Sequence, residues 1–224
     1  MPHPITKRLL ALADPAYRDF AASLIPGGMP MLGVRLPALR RLAKELSGTP
    51  AAWHAFLDGT SSPQWMEEVM LLGMLPGYIR GLSLSERMEQ LRRFIPLISN
   101  WSICDSCCCT YRFMRQHREE LLPWLLTCVR SEREYEARFG IVCFLQHYLP
   151  EPVWAPRVAS ALTQVQASGY YATMAVAWCC CELHLRYPDL AAPLLEATNP
   201  LPAETRRLAL RKIRESRRSL PRRD

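Results

Sequence analysis

Ser131-Glu-Arg-Glu-Tyr-Glu-Ala-Arg-Phe-Gly-Ile-Val-Cys-Phe-Leu145 has the marks of a helix from end to end. Ser131 and Glu134 have the Ser-x-x-Glu spacing of a capping box, in which hydroxyl and carboxylate each satisfy the other's backbone amide. Glu132, Glu134 and Glu136 cluster near the start, where the helix dipole favours negative charge. Ile141, Val142, Phe144 and Leu145 then form an apolar stripe, with Arg138 at its edge. The spacing predicts a helix over 132–149.

The same theme repeats in both directions. Apolar residues recur at spacings of three and four, a Pro, Gly or Ser intervenes, and another stripe begins. Upstream, helices are expected over 6–13, 15–24, 37–46, 50–57, 63–75, 85–98, 101–112 and 116–129. Downstream they are expected over 152–166, 170–186, 188–197 and 203–216. Pro15 and Pro37 suit first-turn positions, and Ser83 and Glu86 form a second capping box. The segment Ile25-Pro-Gly-Gly-Met-Pro-Met-Leu-Gly33 reads as a loop separating an N-terminal helical hairpin, 1–30, from the body. Convincing strands are absent, so the class is all-α. About a dozen helices with short links fit either a compact bundle or an α-solenoid of stacked pairs. No crisp repeat consensus marks the solenoid. Tyr170-Tyr-Ala-Thr-Met-Ala-Val-Ala-Trp178 opens an almost uncharged helix, expected in the middle of the stack.

The chain has 224 residues, 49% of them hydrophobic, enough for a sizeable core. No apolar run reaches the roughly 18 residues that span a bilayer, and no signal-type segment opens the sequence. A cytoplasmic protein with reduced thiols is expected. The net charge of +7 is uneven: residues 206–223 hold nine of the 28 basic residues and one of the 21 acidic ones. That basic tail, 206–224, points to a polyanion as partner.

Chemistry concentrates at Asn100-Trp101-Ser-Ile-Cys-Asp105. Trp101 and Asp105 lie one turn apart on one helix face. A carboxylate there is costly if buried without a partner, so Asp105 is expected to face water or to be kept for a task. Plainer readings stand beside this one. Trp101 and Trp178 would serve as core aromatics, Asp105 as a cap or buried acceptor, and Arg138 as a surface partner of Glu134 one turn earlier. Cys104 and Cys107 have CxxC spacing, but no second pair follows. Consecutive cysteines such as Cys107-Cys108-Cys109 point about 100° apart on a helix and cannot converge on one zinc ion. Small thiols filling tight helix interfaces is the better reading. His3, His54, His117, His147 and His184 form no ligand spacing.

Taken in order, Asn100-Trp101-Ser-Ile-Cys-Asp105, Glu136-Ala-Arg138-Phe-Gly-Ile-Val142 and Tyr170 to Trp178 resemble the HEAT-like DNA alkylation repair family, the AlkD-type alkylpurine DNA glycosylases. Leu32-Gly-Val-Arg-Leu-Pro37, Leu39-Arg-Arg-Leu-Ala-Lys44 and Glu67-Glu-Val-Met-Leu-Leu-Gly73 extend the likeness over most of the chain. The resemblance implies one domain over 1–224, a curved superhelix of HEAT-like antiparallel helix pairs whose concave face holds duplex DNA. It also implies removal of cationic N3- or N7-alkylated purines, without cofactor or metal, by a monomer. Carried over by position, Asp105 is the catalytic carboxylate, Trp101 and Trp178 the aromatic cleft residues, and Arg138 the cleft arginine. Arg35, Arg211, Arg214 and Arg218 are expected at DNA phosphates, since Arg207, Arg211, Arg214 and Arg218 line one helix face. Arg40, Arg41 and Lys44 extend that surface from the N-terminal side. Ser102 stands where the family often has a second acidic residue, and Met174 near a position that is often basic. The rival expectation is a noncatalytic HEAT-like scaffold that binds a DNA structure or a protein.

Overall fold

The computed structural model describes residues 3–25, 28–198 and 201–216. Every regular element in them is helical, with thirteen α-helices at the thirteen places the apolar periodicity marks. No helix among the described residues is long and apolar enough to cross a membrane. The contacts divide the chain into two compact units, residues 1–112 and 113–224.

The first unit holds α1 (Pro4–Ala11), α2 (Pro15–Leu24), α3 (Leu36–Ser47), α4 (Pro50–Gly59), α5 (Met66–Tyr78), α6 (Leu84–Phe94) and α7 (Trp101–Cys108). Proline occupies the first turn of α1, α2, α3 and α4, where a missing amide costs nothing. α5 is buried along nearly its whole length and packs against α3, α6 and α7. It begins three residues later than Pro63, the start the sequence suggests. Glu68 explains the delay: its carboxylate takes the amides of Gln64 (2.9 Å) and Trp65 (3.2 Å) and the Thr6 hydroxyl (2.5 Å). At the far end, Arg87 donates to the carbonyls of Pro76 and Ile79, satisfying acceptors the helix leaves over.

Glu67, 2% exposed, reaches out of α5 to the loop before α3. Its carboxylate accepts the amides of Leu32 (3.0 Å), Gly33 (2.8 Å) and Val34 (3.1 Å). Gly33 has φ +86, and a Cβ there would lie 2.4 Å from the Asp14 carbonyl oxygen. Only glycine fits that conformation and that approach.

The second unit holds α8 (Arg118–Val129), α9 (Glu134–Cys143), α10 (Ala155–Leu162), α11 (Tyr170–Arg186), α12 (Pro188–Leu195) and α13 (Ala203–Glu215). α11 is its centre, packed by α9, α10, α12 and α13, in keeping with its uncharged first half. α9 runs on through a π-helical turn at Phe144–Tyr148. The Ser83 capping box forms as expected, with Ser83 Oγ accepting the Glu86 amide and Glu86 accepting the Ser83 amide. The one expected at Ser131 does not. α9 starts at Glu134 behind Arg133, and the Ser131 hydroxyl instead donates to Glu136 (2.6 Å) and accepts the Arg133 amide (3.2 Å).

All nine cysteines are thiols, none of them in a disulfide; eight are buried and Cys109 is half-buried.

Candidate functional site

Asn100 starts α7, its side-chain oxygen accepting the Ile103 amide at 3.0 Å. From that fixed start the 3.6-residue period sorts the helix cleanly. Ile103, Cys104, Cys107 and Cys108 are fully buried, whereas Trp101, Ser102, Asp105, Ser106 and Cys109 share a half-exposed face. The buried face is anchored on α5. Cys107 Sγ donates to the Met70 carbonyl (3.4 Å), and the Tyr111 hydroxyl just past the helix donates to the Gly73 carbonyl (2.7 Å). The indole of Trp101 donates to the Leu24 carbonyl at the end of α2 (3.4 Å). Asp105 therefore sits mid-helix on the half-exposed face, one turn from a tethered tryptophan. A small cavity adjoins this face, with Ser102 and Ser106 on one wall and Met66, Glu67 and Met70 on another.

In the second unit, Trp178 is half-exposed on α11, in line with Tyr171, Met174 and Glu182 at spacings of three and four. Its neighbours Ala175, Val176, Ala177, Cys179, Cys180 and Cys181 are buried. Neither tryptophan is a fully enclosed core residue.

Arg138 is 6% exposed, and its Nη1 donates to the Tyr171 carbonyl at 2.7 Å. One turn earlier on α9, Glu134 accepts the Tyr171 amide at 2.5 Å. Glu134 and Arg138 thus grip both backbone polar groups of one residue in the first turn of α11. Both side chains turn to a neighbouring helix, where the plain reading of the sequence has them on the surface of their own. No local signal announces it, because the groups held are backbone.

The exposed arginines are placed as follows. Arg35, at the start of α3, pairs with Asp14 (2.9 Å) and lies 4.8 Å from the Tyr17 ring centroid. On α13, Arg207 pairs with Glu204 (2.6 Å) and Arg211 with Glu215 (2.7 Å), while Arg214 is exposed. The two pairs on α13 are largely exposed, so a polyanion can compete with them. Arg218 lies outside the described residues.

The cysteines are set up for packing. Burial pushes the Cys107 thiol well above its ordinary value, opposite to what a thiolate ligand or nucleophile needs. Cys104 and Cys108 stand Sγ to Sγ at 4.0 Å. Among the described residues no group of three or more His, Cys, Asp or Glu side chains is placed to hold a metal ion.

A protein-family model described as DNA alkylation repair enzyme matches residues 5–213. No curated protein and no solved structure matches the chain.

Proposed function

Because the chain belongs to the DNA alkylation repair enzyme family, we propose that it is a DNA glycosylase that hydrolyses the bond between deoxyribose and a cationic N3- or N7-alkylated purine in duplex DNA. The observation that carries this reading is the half-exposed carboxylate of Asp105, one turn from Trp101 on α7. The positive charge on the alkylated ring weakens its glycosidic bond. As that bond breaks, its electron pair leaves with the base and neutralises it, and positive charge builds on the sugar. A fixed carboxylate stabilises that charge and takes a proton from the attacking water, as in other glycoside hydrolyses. Water is the only co-reactant.

Trp101 and Trp178 present indole faces to the cationic nucleotide, each such contact contributing about 0.5–2 kcal/mol. Arg138 positions the start of α11, the helix that carries Trp178, and adds positive charge for a phosphate. Arg35, Arg211, Arg214 and Arg218 supply charge toward the duplex. In this reading the helix pairs stack as HEAT-like repeats whose concave face holds the DNA, and the protein acts as a monomer in the cytoplasm.

The test is incubation with duplex DNA containing 7-methylguanine. Free base is released by the parent protein, and Asp105→Asn abolishes release while duplex binding stays within a few-fold. Undiminished release by Asp105→Asn sinks the role given to that carboxylate. Salt-sensitive DNA binding without release from any alkylated duplex favours the noncatalytic scaffold instead.

A further inference from the structure

Along α3 the cations differ in how they are neutralised. Arg35 is matched by Asp14, and across the α1–α3 contact Arg8 pairs with Glu45 (2.5 Å). Arg40 and Lys44, one turn apart, have no such partner. Arg40 Nη2 donates to Cys109 Sγ at 3.1 Å, at the C-terminal cap of α7. Lys44 Nζ lies 5.7 Å from the centroid of Tyr78, the last residue of α5. Arg112 opens the short 3-10 helix Arg112–Arg115 that follows α7. Burial raises the Tyr78 phenol above its ordinary value, and the charges of Arg40 and Arg112 oppose that rise. The end of α5 is pressed onto the turn after α7, since a Cβ at Gly77 would lie 2.5 Å from Thr110 Oγ1. Among the described residues, no ion pair joins Arg40, Lys44 or Arg112 to a carboxylate.

Three positive charges thus come from α3 and the segment after α7 to the neighbourhood of Tyr78 and Cys109. Lys44 and Arg112 are exposed and Arg40 is half-exposed. Like charges held together repel, and a bound polyanion relieves that repulsion. Guanidinium forks take phosphate oxygens two at a time, and the ammonium adds a point charge. The cluster also has a defined relation to Asp105. Cys109, which Arg40 touches, shares the half-exposed face of α7 with Asp105 four residues earlier, about 6 Å along the helix axis.

We propose that Arg40, Lys44 and Arg112, arranged about Tyr78, bind the phosphodiester backbone of the DNA strand that reaches Asp105. This rests on DNA being the substrate, and it joins Arg112 to Arg40 and Lys44, which the sequence already sets along the DNA surface, as one phosphate-binding group. The cations come from separate elements, which suits an extended backbone better than a single inorganic phosphate.

The test is fluorescence anisotropy of a short unmodified duplex over a salt series. For the parent protein, the logarithm of the binding constant falls linearly with the logarithm of salt concentration. Arg40→Gln, Lys44→Gln and Arg112→Gln combined should reduce that slope by about 2 to 3, near 0.9 for each phosphate no longer neutralised. Binding at about 0.1 M salt should weaken on the order of a hundredfold. Arg40→Lys with Arg112→Lys keeps the charge and should retain most of the slope, which separates loss of charge from loss of fold. Arg8→Gln, which removes an ion-paired cation, should leave the slope unchanged.

An unchanged slope in the triple variant, or an equal loss in Arg8→Gln, overturns the proposal. So does displacement of the duplex by inorganic phosphate at matched ionic strength, which would make the cluster a simple anion site. The readout uses undamaged DNA. A parent protein that shows the expected slopes but releases no base therefore refutes the glycosylase reading and leaves this one standing. A triple variant with unchanged slope beside intact base release does the reverse.

Discussion

Glu67 Oε1 accepts the backbone amide of Gly33 at 2.8 Å, joining the first turn of α5 to a loop 34 residues earlier in the chain. With Leu32 and Val34 also donating, one buried carboxylate satisfies three consecutive amides. Charge-assisted bonds of this kind are roughly twice as strong as neutral ones, and a buried amide left without an acceptor carries its full desolvation cost. Glu67→Gln removes the charge and turns an amide NH2 toward N–H donors. We expect a loss of about 2–4 kcal/mol in urea unfolding. A loss below about 0.5 kcal/mol would show that the loop finds other acceptors.

Arg138 and Glu134 make the corresponding joint in the second unit. Arg138→Met removes the donor to the Tyr171 carbonyl and should cost about 2 kcal/mol or more, read as a lower unfolding midpoint. Glu134→Gln should cost less, because its carboxamide oxygen can still accept the Tyr171 amide. If Arg138 served DNA alone, Arg138→Met would weaken duplex binding with no change in the midpoint, and that result would remove its positioning role.

How much of the structure is legible in the sequence follows from the range of each interaction. The thirteen helices are legible because the features that make them are local: apolar stripes, prolines in first turns and the Ser83 box. Trp101 and Asp105 sharing a face is legible for the same reason, since helix period alone fixes it. Glu67 is different. Three amides hold it, and an amide has no letter in the sequence. The Glu134, Arg138 and Tyr171 joint is hidden in the same way. At the start of α5, Pro63 satisfies the local rule, yet Glu68 decides the outcome by taking the amides of Gln64 and Trp65. Arg40 meets Cys109 across 69 residues, beyond any periodicity argument.

The two Ser-x-x-Glu motifs give a direct test of local form against actual partner. Ser83→Ala deletes a true N-cap on α6 and should cost about 1 kcal/mol. Ser131→Ala deletes bonds to the Glu136 carboxylate and the Arg133 amide before α9 begins, and the cap energy of α9 should not change. Urea unfolding of both variants, read with the helix signal, checks this. Equal losses attributable to helix fraying would restore Ser131 as a cap.

The buried thiols set the behaviour of the protein at alkaline pH. Burial pushes Cys128 and Cys180 up to about 12, and it raises Cys107 and Cys179 well above the ordinary thiol value. An unfolded chain ionises its cysteines near about pH 8.5. Below that pH both states hold these protons, and the raised values cost nothing. Above it the unfolded state loses protons that the folded state keeps, so unfolding becomes more favourable as pH rises toward about 12. Each such thiol contributes a slope of about 1.4 kcal/mol per pH unit across that window. Unfolding free energies measured under reducing conditions should therefore be level from about pH 7 to 8 and fall steeply from about pH 9 to 10. Cys180→Ala should remove one thiol's share of that slope, whatever it does to stability at neutral pH. Thiol titration of the native protein at about pH 8 should show Cys109 reacting first and the eight buried thiols reacting only with unfolding. Nine thiols reacting rapidly in the native state would contradict the packing role assigned to them. A flat stability profile up to about pH 10 would show that the unfolded chain does not expose them.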